Sequence, residues 1–299
     1  MINAHFTAAL GPMRAPFLLL VPVCVLLGWA AAVHDGHSVN AVHLALAAAG
    51  ALAAHISVNA LNEYEDFRSG LDFRTQRTPF SGGTGVLPEN PDKAHYALIV
   101  AVAALGVVIA VGVYFIRLRG AGILPLGLAG VLIIVLYTRW LTRSPLLCLL
   151  APGVGFGPLM VLGVYYVITG AYSSTALMVS LLPLFMVSDL LLINQFPDRE
   201  ADRWAGRKHL LLVWGGPAGV AVYGVFLFAA YISVILAVIF DVLPPMVLLS
   251  LATVPVAALA YRGLRRHQDA VSALVPHMAQ HVALTLVTPL LLALGIIIS

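Results

Sequence analysis

Apolar residues in this chain run in blocks of about 20, separated by short polar segments. Such blocks lie at 15–33, 40–61, 95–116, 121–138, 146–168, 176–196, 217–239, 243–260 and 279–298. Each matches the length a helix needs to cross hydrocarbon, so the pattern predicts nine membrane spans. The fold class is all-α: a polytopic membrane protein whose helices bundle around a cytoplasm-facing cavity. No long linker divides the chain, and 1–299 reads as one integral membrane domain. Spans one to four and five to eight (15–138 and 146–260) read as two copies of a four-helix unit. A ninth helix over 279–298 is then an addition.

The basic residues test the span count. With the N-terminus in the cytoplasm, 14 of the 16 Lys and Arg residues fall in the N-terminal tail or in the loops after spans two, four, six and eight. Arg117 and Arg119, after span three, are the exceptions. The excess of positive charge on one side fits nine spans with the N-terminus inside. The first span is too long for a cleaved signal peptide, and Arg14 lies well inside the chain. Residues 1–13 are expected at the membrane interface. Trp140, Trp204 and Trp214 lie near cytoplasmic span ends and read as interfacial aromatics, as do Tyr165 and Tyr166 at the opposite face.

Composition agrees. The chain is 61% hydrophobic and only 10% charged, against about 25% charge in soluble domains. The basic excess is spread over short loops and reports topology, so nucleic acid is not a partner. No protein partner is implied either; the partner implied is the lipid bilayer. Cys24 and Cys148 lie inside apolar runs and read as packing residues.

Charge placement carries the chemistry. Seven of the 13 acidic residues fall in two stretches, 62–72 and 194–202. Each begins with an Asn followed four residues later by an Asp: Asn62 and Asp66, then Asn194 and Asp198. Residues four apart share a helix face, so each Asn and its Asp point the same way, with Asp202 one turn further on. Gly70 is expected to end the first helix and let Asp72 turn back toward Asp66. Pro197 is expected to kink the second. Magnesium is held by one or two carboxylates together with substrate phosphates. Asp66, Asp72, Asp198 and Asp202 suit that role, with Asn62 and Asn194 as neutral oxygen donors. Arg207 and Lys208 suit phosphate oxygens. Glu63, Glu65, Glu200 and Arg203 read as solvated loop charges.

Some polar residues stand apart from these stretches. Asp189 is the one acid inside a span and is a functional candidate on that ground. His55 lies on roughly the face of Asn62, deeper in the membrane, where it reads as a packing or hydrogen-bonding residue or a base. His277 and His281 read as interfacial.

The first stretch, with its Asn62-x3-Asp66-x3-Gly70-x-Asp72 form, resembles the first motif of the UbiA superfamily of intramembrane prenyltransferases. It is most similar to the 1,4-dihydroxy-2-naphthoate polyprenyltransferase branch. Pro79–Gly85, Tyr137-Thr138 and Gly163–Gly170 resemble further elements of that branch, and Asn194–Lys208 resembles the family's second Asp motif. The loop from Tyr137 to Arg143 is shorter than the branch pattern, and Gln195 stands where an Asn is more common. The resemblance implies an enzyme of the plasma (inner) membrane with a cytoplasmic site. It would transfer a prenyl group from an isoprenyl diphosphate to an aromatic acceptor, in quinone (menaquinone-type) biosynthesis. It implies Mg2+ as cofactor, two ions bridging the diphosphate and held by Asp66, Asp72, Asp198 and Asp202. Asn62, Asn194, Arg74, Arg143, Arg207 and Lys208 would bind the diphosphate. Asp66 and Asp198 would be catalytic, with Tyr137 steadying the allyl cation or orienting the acceptor, or else a plain interfacial tyrosine. Other acceptors (4-hydroxybenzoate, homogentisate, a tetrapyrrole or a lipid) stay open. The reading from a different class is an ion-coupled secondary transporter.

Overall fold

The structure, a computed structural model, describes residues 7–299; residues 1–6, part of the expected interfacial tail, lie outside it. All regular structure among the described residues is helical. Eight helices are long and apolar enough to cross a membrane. They are α1 (Ala15–His34), α2 (Ala41–Ser69), α3 (Pro91–Arg119), α5 (Pro145–Thr169), α6 (Ser174–Trp204), α7 (Gly216–Ile239), α8 (Pro245–His267) and α9 (Val271–Ile297). The expected fourth span is the shorter apolar helix α4 (Ala121–Leu136), so the count of nine full-length spans is not met by length. Gly120, at φ 84°, breaks the chain before α4, and turns at 137–140 end it.

The helix ends that position the site have local causes. Asn40 starts α2 by accepting hydrogen bonds from the backbone N–H groups of Val42 (2.9 Å) and His43 (3.2 Å). Gly70 ends it in the left-handed conformation (φ 81°), as expected, and the next turn begins at once with Leu71 and Asp72. Ser173 caps α6 through the N–H of Thr175. Helix α6 runs on through Pro183 and Pro197, so its acidic turn belongs to the same helix as its buried middle. In α5, between Pro152 and Pro158, the backbone widens into a π-helical segment, Gly155–Val161.

Packing sets α6 at the centre, against α5, α7 and α9, while α3 lies at the periphery against α2. On α5, a Cβ at Gly153 or Gly157 would collide with the α6 backbone at Leu184 and Ser180, so glycine is what lets these two helices approach. Helix α8 carries Arg262, Arg265 and Arg266 within its last turns, not in a loop, and α9 begins at Val271, earlier than expected.

Several polar residues differ from expectation. Tyr165 and Tyr166 are buried. Tyr165 donates to Asp35 Oδ2 (2.7 Å), which also accepts from Ser173 Oγ (2.6 Å). This network ties the α1 end to the α5–α6 turn, so Tyr165 is a strut of the bundle and not a belt residue. His281 is fully buried, with Nδ1 2.7 Å from the Tyr223 hydroxyl and Nε2 2.8 Å from the Met186 carbonyl. Nε2 therefore donates, and Nδ1 accepts from Tyr223. Asp189 is fully buried with neither carboxylate oxygen partnered. Both cysteines are free and buried.

Candidate active site

The C-terminal ends of α2 and α6 meet, although their acidic residues are more than a hundred positions apart. Arg207 joins them. Its Nη1 donates to Asp202 Oδ1 (2.7 Å), and its Nη2 pairs with Asp66 Oδ1. Gly206, at φ 74°, turns the chain after α6 and brings Arg207 back. Burial works against the guanidinium charge, but the Asp66 and Asp202 carboxylates outweigh it and raise its pKa. His209 Nε2 lies 3.0 Å from Asp202 Oδ2, without hydrogen-bond geometry. On α2, the Asn62 amide donates to Asp66 Oδ2 (3.1 Å) and to Thr138 Oγ1 (3.2 Å).

Glu63 is not a solvated charge. It is fully buried. It accepts from Arg14 Nε (2.7 Å), from the Thr84 backbone N–H (3.0 Å) and from Thr84 Oγ1 (2.9 Å). One carboxylate thus fastens the N-terminal segment and the 79–85 loop to α2. In that loop Gly83 stands at φ 72°, and a Cβ there would lie 3.1 Å from Asp72 Oδ1 and 3.3 Å from Glu63 Oε1. Asp72 is buried, and burial, then the charges of Glu63 and Asp66, push its carboxyl up to about 7. Glu65 pairs with Arg139 at 2.7 and 2.8 Å, away from the carboxylate centre.

Beneath these residues opens a cavity of about 620 Å³. It reaches from Asp66 down α2 to Ala47, a length of about 28 Å at the helical rise. That is close to the thickness of a bilayer's hydrocarbon core. Its lower walls are apolar faces of α2, α3, α4 and α5. Its upper end is lined by Asn62, Asp66, Asp72, Tyr137, Asn194, Asp198, Asp202 and Arg207, all singled out from the sequence. Arg14, Asn59, Cys148, Gln195 and His209 also line it and were not anticipated there. Arg74, Arg143 and Lys208 do not line it. Arg74 stacks on Trp204 (4.1 Å to the ring centroid), while Arg143 and Lys208 are exposed.

The donor set can be tested against a metal. Among the described residues, no three His, Cys, Asp or Glu side chains converge to hold an ion by themselves. Yet three buried oxygens on the cavity wall lack any partner: Asp72 Oδ2, Asn194 Oδ1 and Asp198 Oδ1. Buried oxygens left unpaired are costly. Hard oxygen donors, too few for a closed cage, fit a magnesium ion that takes its remaining ligands from phosphate and water.

Comparison with known proteins agrees with this architecture. Residues 20–295 match the model of the UbiA prenyltransferase family. The chain is 28% identical over 251 residues to the 1,4-dihydroxy-2-naphthoate octaprenyltransferase of Bacillus subtilis (strain 168), covering 82% of this chain and 78% of that one. In fold it is similar to a digeranylgeranylglyceryl phosphate synthase structure (TM-score 0.70, 14% identity, 99% of both chains). It is also similar to the Archaeoglobus fulgidus UbiA homolog bound to DMAPP and Mg2+ (TM-score 0.60, 14% identity, 92% of this chain and 98% of that one). With the match spanning nearly the whole chain, the protein belongs to the UbiA prenyltransferase family and is an integral membrane prenyltransferase.

Proposed function

We propose that the protein transfers a prenyl group from an isoprenyl diphosphate to a hydroxylated aromatic ring, 1,4-dihydroxy-2-naphthoate being the favoured acceptor, in menaquinone-type quinone synthesis. The observation that carries the reading is the set of unpartnered oxygens on Asp72, Asn194 and Asp198 at the head of a long apolar cavity. A charged diphosphate head and a lipid tail need those two environments side by side. The solved homolog with DMAPP and Mg2+ and the naphthoate-prenylating relative support it.

Asp66, Asp72, Asp198 and Asp202 would hold Mg2+, in our reading two ions. When bound, the metal neutralises charge growing on the departing diphosphate. The chain's own residues do the rest. Arg207 keeps the α2 and α6 carboxylates at one centre and is positioned to shift toward a phosphate oxygen. Asn62 and Asn194 offer neutral donors and acceptors beside them. The apolar walls exclude water from an allyl cation that water would quench. Tyr137, at the junction of the polar and apolar zones, presents its ring to that cation. Arg74, Arg143 and Lys208 stand outside the cavity and would meet the diphosphate only as it enters. The site would face the cytoplasm, with the N-terminus on the same side and α4 crossing as a ninth, short span.

Purified protein given radiolabelled geranylgeranyl diphosphate, Mg2+ and a panel of naphthoates and phenols should form a prenylated product only with the metal. The naphthoate should be favoured. No product across the panel would refute the proposal.

A further inference from the structure

His55 is a polar group in the cavity that the diphosphate site leaves unused. It lies seven residues before Asn62 on α2, on the same face and about 10 Å deeper along the helix. It is 7% exposed, borders the cavity, and its buried Nδ1 has no partner. A ring with its hydrogen-bonding capacity unspent is costly in an apolar wall. Across from it, Phe156 meets it edge to face (centroids 4.7 Å apart, planes at 81°). Phe156 belongs to the π-helical segment Gly155–Val161, where α5 departs from regular helix at the cavity wall. Such irregularities recur at functional sites. Asn59, one turn above His55, is tied to the Met13 carbonyl (3.1 Å), so it does not serve the imidazole.

We propose that His55 and Phe156 form the seat of the aromatic acceptor, with His55 as the base that takes its hydroxyl proton. This rests on the prenyl-transfer reading above. The C1–O bond of the prenyl diphosphate breaks, and its electron pair leaves with the diphosphate. The ring carbon beside the hydroxyl forms the new bond to C1 as the hydroxyl proton passes to the imidazole and the oxygen becomes a carbonyl. The substituted carbon then loses its proton to the released diphosphate, or its carboxylate as carbon dioxide, and returns an electron pair to the ring. The imidazolium gives its proton back to the oxygen. Phe156 packs the ring face and fixes which carbon meets C1.

The test uses the full chain with geranylgeranyl diphosphate and 1,4-dihydroxy-2-naphthoate. His55→Gln keeps a hydrogen-bonding group but not a base. It should lower kcat roughly 100-fold or more, with affinity for the prenyl diphosphate and Mg2+ unchanged. Phe156→Leu should raise the acceptor KM with little effect on diphosphate affinity. Unchanged diphosphate affinity also shows that each variant is folded. Transfer by the wild type together with His55→Gln at full rate would overturn this inference alone. A wild-type protein that prenylates nothing would overturn the proposed function, and this inference with it.

Discussion

Arg207→Ala removes the cation shared by two carboxylates whose side chains are 11% and 3% exposed. Removing one partner of a buried ion pair costs about 3–5 kcal/mol, because the remaining charge stays buried and uncompensated. Here two carboxylates are stranded, which pushes the cost up. Against that, Asp66 keeps the Asn62 amide at 3.1 Å and Asp202 keeps His209 at 3.0 Å. The expected loss is therefore near the lower end, about 3 kcal/mol. Arg207→Lys keeps a charge but not the two-pronged reach, and should fall between wild type and alanine. The assay is reversible unfolding in mixed micelles, first in chelator and then with excess Mg2+. The alanine variant should regain part of its loss with Mg2+, since a divalent ion supplies the missing positive charge. A loss below about 0.5 kcal/mol in chelator, within the range of an exposed surface change, would refute the buried ion-pair reading.

Two further predictions concern the loop beside the site. The Asp72 carboxyl titrates near 7 in the folded protein, above its ordinary value of 3.8. The folded state thus retains a proton that the unfolded chain releases, and metal-free stability should fall as pH rises from about 4 to 7, then level off. Asp72→Asn should flatten that slope in unfolding measured in chelator; an unchanged slope would place the titration elsewhere. Gly83→Ala adds a Cβ at positive φ, 3.1 Å from Asp72 Oδ1. It should weaken Mg2+-dependent substrate binding at least tenfold while leaving the helical content intact, as read by circular dichroism alongside binding.

How much of this was legible in the sequence depended on distance along the chain. The Asn62–Asp66 and Asn194–Asp198–Asp202 sets follow from helical spacing alone, and Gly70 announces the turn that buries Asp72. Glu63 was misread because its partners are remote: Arg14 lies 49 positions away and Thr84 lies 21. Two other ion pairs are remote as well: Arg199 pairs with Asp269, and Arg139 reaches back to Glu65. Tyr165 and His281 look interfacial by position, yet both are buried where α1, α6 and α7 supply their hydrogen-bond partners. The same limit applied to the cations. Arg207 and Lys208 are adjacent, and only the turn at Gly206 decides that Arg207 enters the cavity while Lys208 stays exposed. One cue was present for His55. Its spacing of seven from Asn62 placed it on the cavity face, but the unpaired nitrogen and the facing π-helical turn needed the packed helices.

The central claim is that the unpartnered oxygens of Asp72, Asn194 and Asp198 bind a metal–diphosphate head. Equilibrium binding of a non-reactive geranylgeranyl thiolodiphosphate, titrated with and without Mg2+, tests it most directly. The account predicts tight binding only with both present, and its loss in Asp72→Ala and Asp198→Ala proteins that keep the wild-type helical content. Equally tight binding in chelator, or binding unaffected by either substitution, would contradict it.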